Sequence, residues 1–226
     1  MIKHPKNLAF TLVELLVVVS IISLLISIVT PSLTQARREA RVVACMSNQR
    51  QVGIAFEIYS EQFDYFWPYP VDAAGGDQYW HRSFLFPMLY PGEPTDTADM
   101  FTDTAFACPN FASGAHSNDS LTHGFGMNVA IDTDGTDRTA NYGKFLVPVN
   151  IRNASQTAVT LDNETPLVWY QDGATLEAVS GRHDGETVVG YADTRADRIQ
   201  TERLYFNGDP ELDKNDVVFD VFWLGK

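Results

Sequence analysis

The chain has 226 residues, 45% of them apolar, which is enough for one domain with a sizeable core and argues against intrinsic disorder. Its 29 acidic residues against 16 basic ones leave a net charge of −13, a balance that excludes a nucleic-acid binder working by phosphate neutralisation. Two cysteines exclude a disulfide-dense scaffold and allow at most one intramolecular bridge.

Lys3 and Lys6 open the chain, and residues 15–36 then carry no charge at all. As a helix rising about 1.5 Å per residue, that run would cover about 33 Å, slightly more than the ~30 Å hydrocarbon core of a bilayer. Arg37, Arg38 and Arg41 follow it, so basic residues flank the span on both sides and do not orient it. Glu14 stands at its front, where a lone carboxylate is costly and calls for a partner. A secretory signal with Ala36 near its cut is one alternative, poorly served by that acid and by the length of the run; a plain signal anchor is another. All these readings send the residues after Arg37 outward. Ser20, Ser23 and Ser27 share one face, either for close helix approach or for bonding back to the preceding turn.

The string Ala9-Phe10-Thr11-Leu12-Val13-Glu14-Leu15-Leu16, behind its short basic leader, resembles the prepilin class of type IV pilins and type II secretion pseudopilins. The resemblance implies that a membrane-embedded prepilin peptidase cuts between Ala9 and Phe10 and that Phe10 becomes an N-methylated terminus. It also implies that Glu14 meets the terminal ammonium of a neighbouring subunit and so sets helix register. The family usually has Gly before the cut, where this chain has Ala9. Pro31 matches the helix-kinking proline that pilins carry; it removes one bond to the Ser27 carbonyl.

Apolar or small residues then recur at Val42, Cys45, Met46, Gln49, Val52, Gly53, Phe56, Tyr59 and Phe63, the spacing of an amphipathic helix. Residues 10–60 are thus expected to form one long helix, ended by Pro68 and Pro70. Twelve of the 27 aromatic residues fall within residues 56–90, Trp67, Tyr79 and Trp80 among them. Packing of the head against the helix is the favoured reading of that density, and a carbohydrate-stacking platform is the alternative. Short strands separated by Asp-, Asn- and Gly-rich turns are predicted at 124–131, 145–151, 157–161, 167–170, 187–192, 203–206 and 217–223. They suggest a mostly antiparallel sheet.

The resemblance continues past the leader. Cys45, Asn48, Gln51, Val52 and Gly53 look like the Cys-x-x-Asn-x-x-Gln-hydrophobic-Gly signature of pseudopilin-like proteins of planctomycetes and their bacterial relatives. His183 and Asp193 resemble that group's H-x9-D-G motif, with Thr194 in place of the final glycine, a residue that tolerates positive φ poorly. With the head in an oxidising compartment, a Cys45–Cys108 disulfide is expected, closing 62 intervening residues and worth about 4 kcal/mol; two buried free thiols are the alternative.

His183 could serve as a base oriented by Asp193 or Asp184, but no nucleophile motif accompanies it, and a structural histidine is the better reading. His81, His116 and His123 lack close zinc-ligand spacing. Two acidic runs invite a calcium test, one with Asp132, Asp134 and Asp137, the other with Asp209, Glu211, Asp213 and Asp216; neither keeps EF-hand register, and solvated turns are the simpler reading.

The expected fold is α+β and pilin-like, a long N-terminal helix packed on a mostly antiparallel sheet. The expected divisions are a leader at 1–9, a transmembrane assembly helix at 10–36, an amphipathic continuation at 37–66 and a β-rich head at 67–226. The expected function is that of a non-enzymatic pilin-like subunit of a type II secretion or type IV pilus-like filament. Its expected partners are other subunits, prepilin peptidase, an inner-membrane assembly platform and lipid. The N-terminus is expected in the cytoplasm and the head in the periplasm or on an extracellular filament, with no cofactor unless calcium. A membrane-tethered glycan-binding protein is the rival.

Overall fold

The structure is a computed structural model that describes residues 11–70, 79–93, 104–110, 124–129, 131, 151–163, 167–168, 179, 181–201, 204, 222 and 225. Two compact units divide it, Met1–Ala40 and Arg41–Lys226.

Helix α1 runs over Leu12–Gln62 and continues without a break through Pro31. In the first unit its large apolar side chains are exposed along the whole length from Leu12 to Leu33. A surface of that kind is stable only in lipid or against other apolar helices. Ser20 and Ser27 donate back to the carbonyls of Leu16 and Leu24 at 2.8 and 2.7 Å, so these two hydroxyls are satisfied within their own helix.

In the second unit the helix buries Val42, Cys45, Gln49, Val52, Ala55, Phe56, Tyr59 and Ser60, a stripe stepping by three and four. Five strands follow: β1 (Gly124–Asn128), β2 (Ala158–Asn163), β3 (Leu167–Val168), β4 (Glu186–Tyr191) and β5 (Ala196–Gln200). They form one sheet in the order β3-β1-β2-β4-β5, antiparallel throughout except for the short β1–β3 pair. The fold is α+β, as the sequence suggested.

Both faces of the sheet are covered. Phe125, Met127, Val159 and Val188 join the helix stripe in one core, while Val129, Leu161, Val168, Val189 and Leu204 form a second. Helix and strand spacings match closely: four helical residues advance about 6 Å and two strand residues about 6.8 Å. Cys45 and Gln49 therefore meet Asp162 and Thr160, two positions apart on β2.

The aromatic segment adds Trp67, Trp80, Leu85 and Phe86 to the first core. Phe56 lies 5.2 Å from Trp67 and 5.7 Å from Trp80 between ring centroids. Trp67 and Trp80 are 2% and 0% exposed, so neither ring offers a face to a glycan and packing is the role the structure gives them. Trp80–Leu85 forms a π-helical turn that leads into the short helix α2, Phe86–Leu89, with Pro87 in its first turn. The sequence reading had no helix here.

Strand β5 was also missed. Its residues are mostly exposed and carry Asp197, Arg198 and Gln200, so this edge strand lacks the apolar alternation that betrays a half-buried one. The strands expected at 145–151, 203–206 and 217–223 lie almost wholly outside the described residues.

Candidate functional site

At the start of α1, Thr11 and Glu14 close a reciprocal cap. Glu14 Oε2 accepts from the Thr11 backbone N–H at 2.8 Å and from its hydroxyl at 2.6 Å, while Thr11 Oγ1 accepts from the Glu14 N–H at 3.3 Å. This is the Thr-x-x-Glu capping box, legible in the sequence but not read there. It supplies Glu14 with a partner inside its own chain. Ala9 and Phe10 lie outside the described residues.

A second site lies inside the head. Cys45, Cys108, Asp162 and His183 are all buried, and their ligand-type atoms lie within 4.8 Å of one another. Each comes from a different part of the fold. Cys45 projects from α1. Asn48, one turn later, donates to the Ala107 carbonyl at 2.8 Å and so pins the segment that carries Cys108. This explains the Cys-x-x-Asn spacing: one residue enters the cluster and the other fixes its second thiol. In the same signature Gln51 is exposed, and the neighbouring Gln49 is the buried glutamine, accepting from the Thr160 hydroxyl.

Asp162 is the penultimate residue of β2, all of whose residues are buried. His183 opens a two-residue hairpin, with mutual backbone hydrogen bonds to Glu186 and positive φ at Asp184 (57°) and Gly185 (87°). That Asp-Gly pair is the signal of a type I′ turn, which delivers His183 to the start of β4. Arg182 ties the corner down, donating to the carbonyls of Gly124 and Asn163 at 3.0 and 2.9 Å.

Asp162 Oδ1 accepts from Cys45 Sγ at 3.3 Å, and Oδ2 accepts from the Val188 N–H at 3.2 Å. His183 Nε2 lies 3.2 Å from Asp162 Oδ2 and 3.4 Å from Cys108 Sγ. The Asn110 amide donates to the Arg182 carbonyl at 3.0 Å and stands 3.0 Å from His183 Nδ1, which in a neutral imidazole would put the single proton on Nε2, facing the carboxylate.

Burial pushes the Cys45 thiol well above its ordinary value, and the hydrogen bond to Cys108 and the charge of Asp162 act in the same sense. Cys108 is drawn down to about 6, chiefly by its hydrogen bond with Cys45 and also by His183, against burial. For His183 burial is the largest influence and lowers it, but hydrogen bonds to Asp162 and Cys108 and their charges together raise it to about 9.

The two sulfurs are adjacent and unbonded. Asp193 does not join His183. The two sit at opposite ends of β4, where Asp193 Oδ1 accepts from the Arg195 N–H at 3.1 Å in the β4–β5 turn. The buried partner of His183 is Asp162, which the sequence reading missed; its signal was an acid continuing a strand run that is apolar on both faces. The acidic runs holding Asp132, Asp134 and Asp137 and holding Asp209, Glu211, Asp213 and Asp216 lie outside the described residues, as do His116 and His123.

Residues 5–30 match the family of the prokaryotic N-terminal methylation motif. No curated protein and no solved structure matches the chain. The matched stretch contains Ala9, Phe10 and Glu14 and the opening part, from Leu12 to Thr30, of the one described helix long and apolar enough to cross a membrane. The N-terminus is therefore of prepilin type, which supports a membrane-anchored, pilin-like protein.

Proposed function

We propose that this chain is a pilin-like structural subunit of a type II secretion or type IV pilus-like filament. It is inserted in the inner membrane with its N-terminus cytoplasmic and its acidic head periplasmic, cut by prepilin peptidase between Ala9 and Phe10, and methylated on Phe10. An assembly platform then draws it from lipid into a filament of like subunits. The carrying observation is the methylation motif over residues 5–30, which reaches into the stretch of α1 from Leu12 to Leu33 whose large apolar side chains are exposed. Such a helix exchanges lipid for neighbouring helices at little cost, because both surroundings are apolar. Glu14 is the one charge in residues 7–36, so pairing with a neighbour's terminal ammonium selects a single register among many greasy ones. No catalytic role is part of this reading.

Intact-mass measurement of the protein purified from membranes tests it. The expected product lacks residues 1–9 and carries one added methyl group. A chain retaining its leader in cells with an active prepilin peptidase refutes it.

A further inference from the structure

We propose that Cys45, Cys108, Asp162 and His183 form a structural site for one zinc ion, which staples α1, the Cys108 segment and the sheet together. The proposal is independent of filament assembly. Four donors of the types zinc prefers, two sulfurs, an imidazole nitrogen and a carboxylate oxygen, converge in the core from four separate stretches of chain. Two of the contacts among them, Cys45 Sγ to Asp162 Oδ1 (3.3 Å) and Cys108 Sγ to His183 Nε2 (3.4 Å), fit the edges of a tetrahedron with metal–ligand bonds of about 2.0–2.3 Å.

The outer shell is in place for the carboxylate. Val188 N–H holds Asp162 Oδ2 and leaves Oδ1, on the Cys45 side, for the metal. For the imidazole, coordination through Nε2 moves its proton to Nδ1. Asn110 then presents its carbonyl oxygen there and gives up its bond to the Arg182 carbonyl. Loading also expels the protons held on sulfur.

A disulfide would account for the two sulfurs alone and leave a fully buried carboxylate and imidazole beside it. A metal uses all four groups and offsets the negative charge that the site buries.

The test uses the full chain, purified in detergent without chelator and with thiols protected by reductant. Elemental analysis is expected to give one zinc per chain. Replacement by cobalt is expected to give thiolate-to-cobalt charge-transfer absorption with tetrahedral visible bands. Asp162→Asn, which keeps side-chain shape, and His183→Gln, which keeps a polar side chain of similar reach, should each weaken zinc affinity at least tenfold, and chelation should lower the melting temperature of the wild type. Stoichiometric zinc that these two variants retain at wild-type affinity overturns the assignment of ligands. Chain that stays metal-free after incubation with zinc, with both thiols titratable, overturns the proposal. So does chain from the periplasm that is lighter by the two hydrogens of a disulfide and takes up no cobalt.

Discussion

Asp162 Oδ2 and His183 Nε2 stand 3.2 Å apart, and neither side chain touches solvent. Removing one member strands the other in the core. Asp162→Ala in metal-free protein is therefore expected to cost about 3–5 kcal/mol, while the double replacement Asp162→Leu with His183→Met should recover much of that loss. Urea titration followed by tryptophan emission, to which the buried Trp67 and Trp80 contribute, measures both. A double variant as unstable as the single one would show that the pair is an asset in itself and not merely mutually dependent.

Thr194 has φ of 67°, a left-handed conformation that a β-branched residue adopts at a cost of about 1–2 kcal/mol. It occupies the third loop position of the β4–β5 hairpin, which Tyr191 and Arg195 close by a 2.8 Å backbone bond. Three-residue hairpin loops of this type need a left-handed residue there, a position that glycine fills without strain. Thr194→Gly should stabilise the head by about 1 kcal/mol, read as a higher denaturation midpoint. A fall would mean that the contact between Thr194 and Gly53 outweighs the strain, for a Cβ at Gly53 would lie only 3.1 Å from the Thr194 Cα.

Gly124 has φ of 99°, and a Cβ there would fall 2.8 Å from the backbone nitrogen of Cys108. Gly124→Ala combines backbone strain with a clash against main chain that cannot swing aside. The expected loss is about 2 kcal/mol or more, with Cys108 displaced and zinc uptake reduced. Melting and metal analysis of the same preparation report the two effects together.

Glu14 has two tasks in the proposed function. In the free subunit it completes the cap with Thr11, worth about 1 kcal/mol to the first helical turn. In the filament it must turn from Thr11 to a neighbour. Glu14→Ala should abolish assembly while membrane insertion, leader removal and head stability stay as in the wild type. Thr11→Val, which removes the hydroxyl but keeps the acid, should still assemble. Crosslinking in membranes separates the two variants, and filaments built from Glu14→Ala would break the register argument.

Local chemistry was the most readable part of the chain. The exposed apolar run, the stripe through Cys45, Val52, Phe56 and Tyr59 and the main strands follow from hydrophobic period alone. The buried cluster was not readable in that way. Its members stand at 45, 108, 162 and 183, so no short spacing joins them, and only the pairing of β2 with β4 and the pinning of Ala107 by Asn48 bring them together. His183 was visible as a motif residue. The acids the sequence offers it are Asp184 and Asp193, whereas strand pairing supplies Asp162 from across the sheet. The edge strand β5 and the π-helical turn at Trp80–Leu85 escaped for a different reason: neither has a period that burial imposes on sequence.

The core stripe on α1 begins at Val42 and ends at Ser60. A protease clipping within residues 37–41 would shed a head that keeps every interior side chain of its own. One clipping after Gln62 would pull Val52, Phe56 and Tyr59 out from under Trp67, Trp80 and the sheet, and leave the β-rich remainder without a floor. Any soluble derivative of this protein must therefore take its first residue from the near side of Val42.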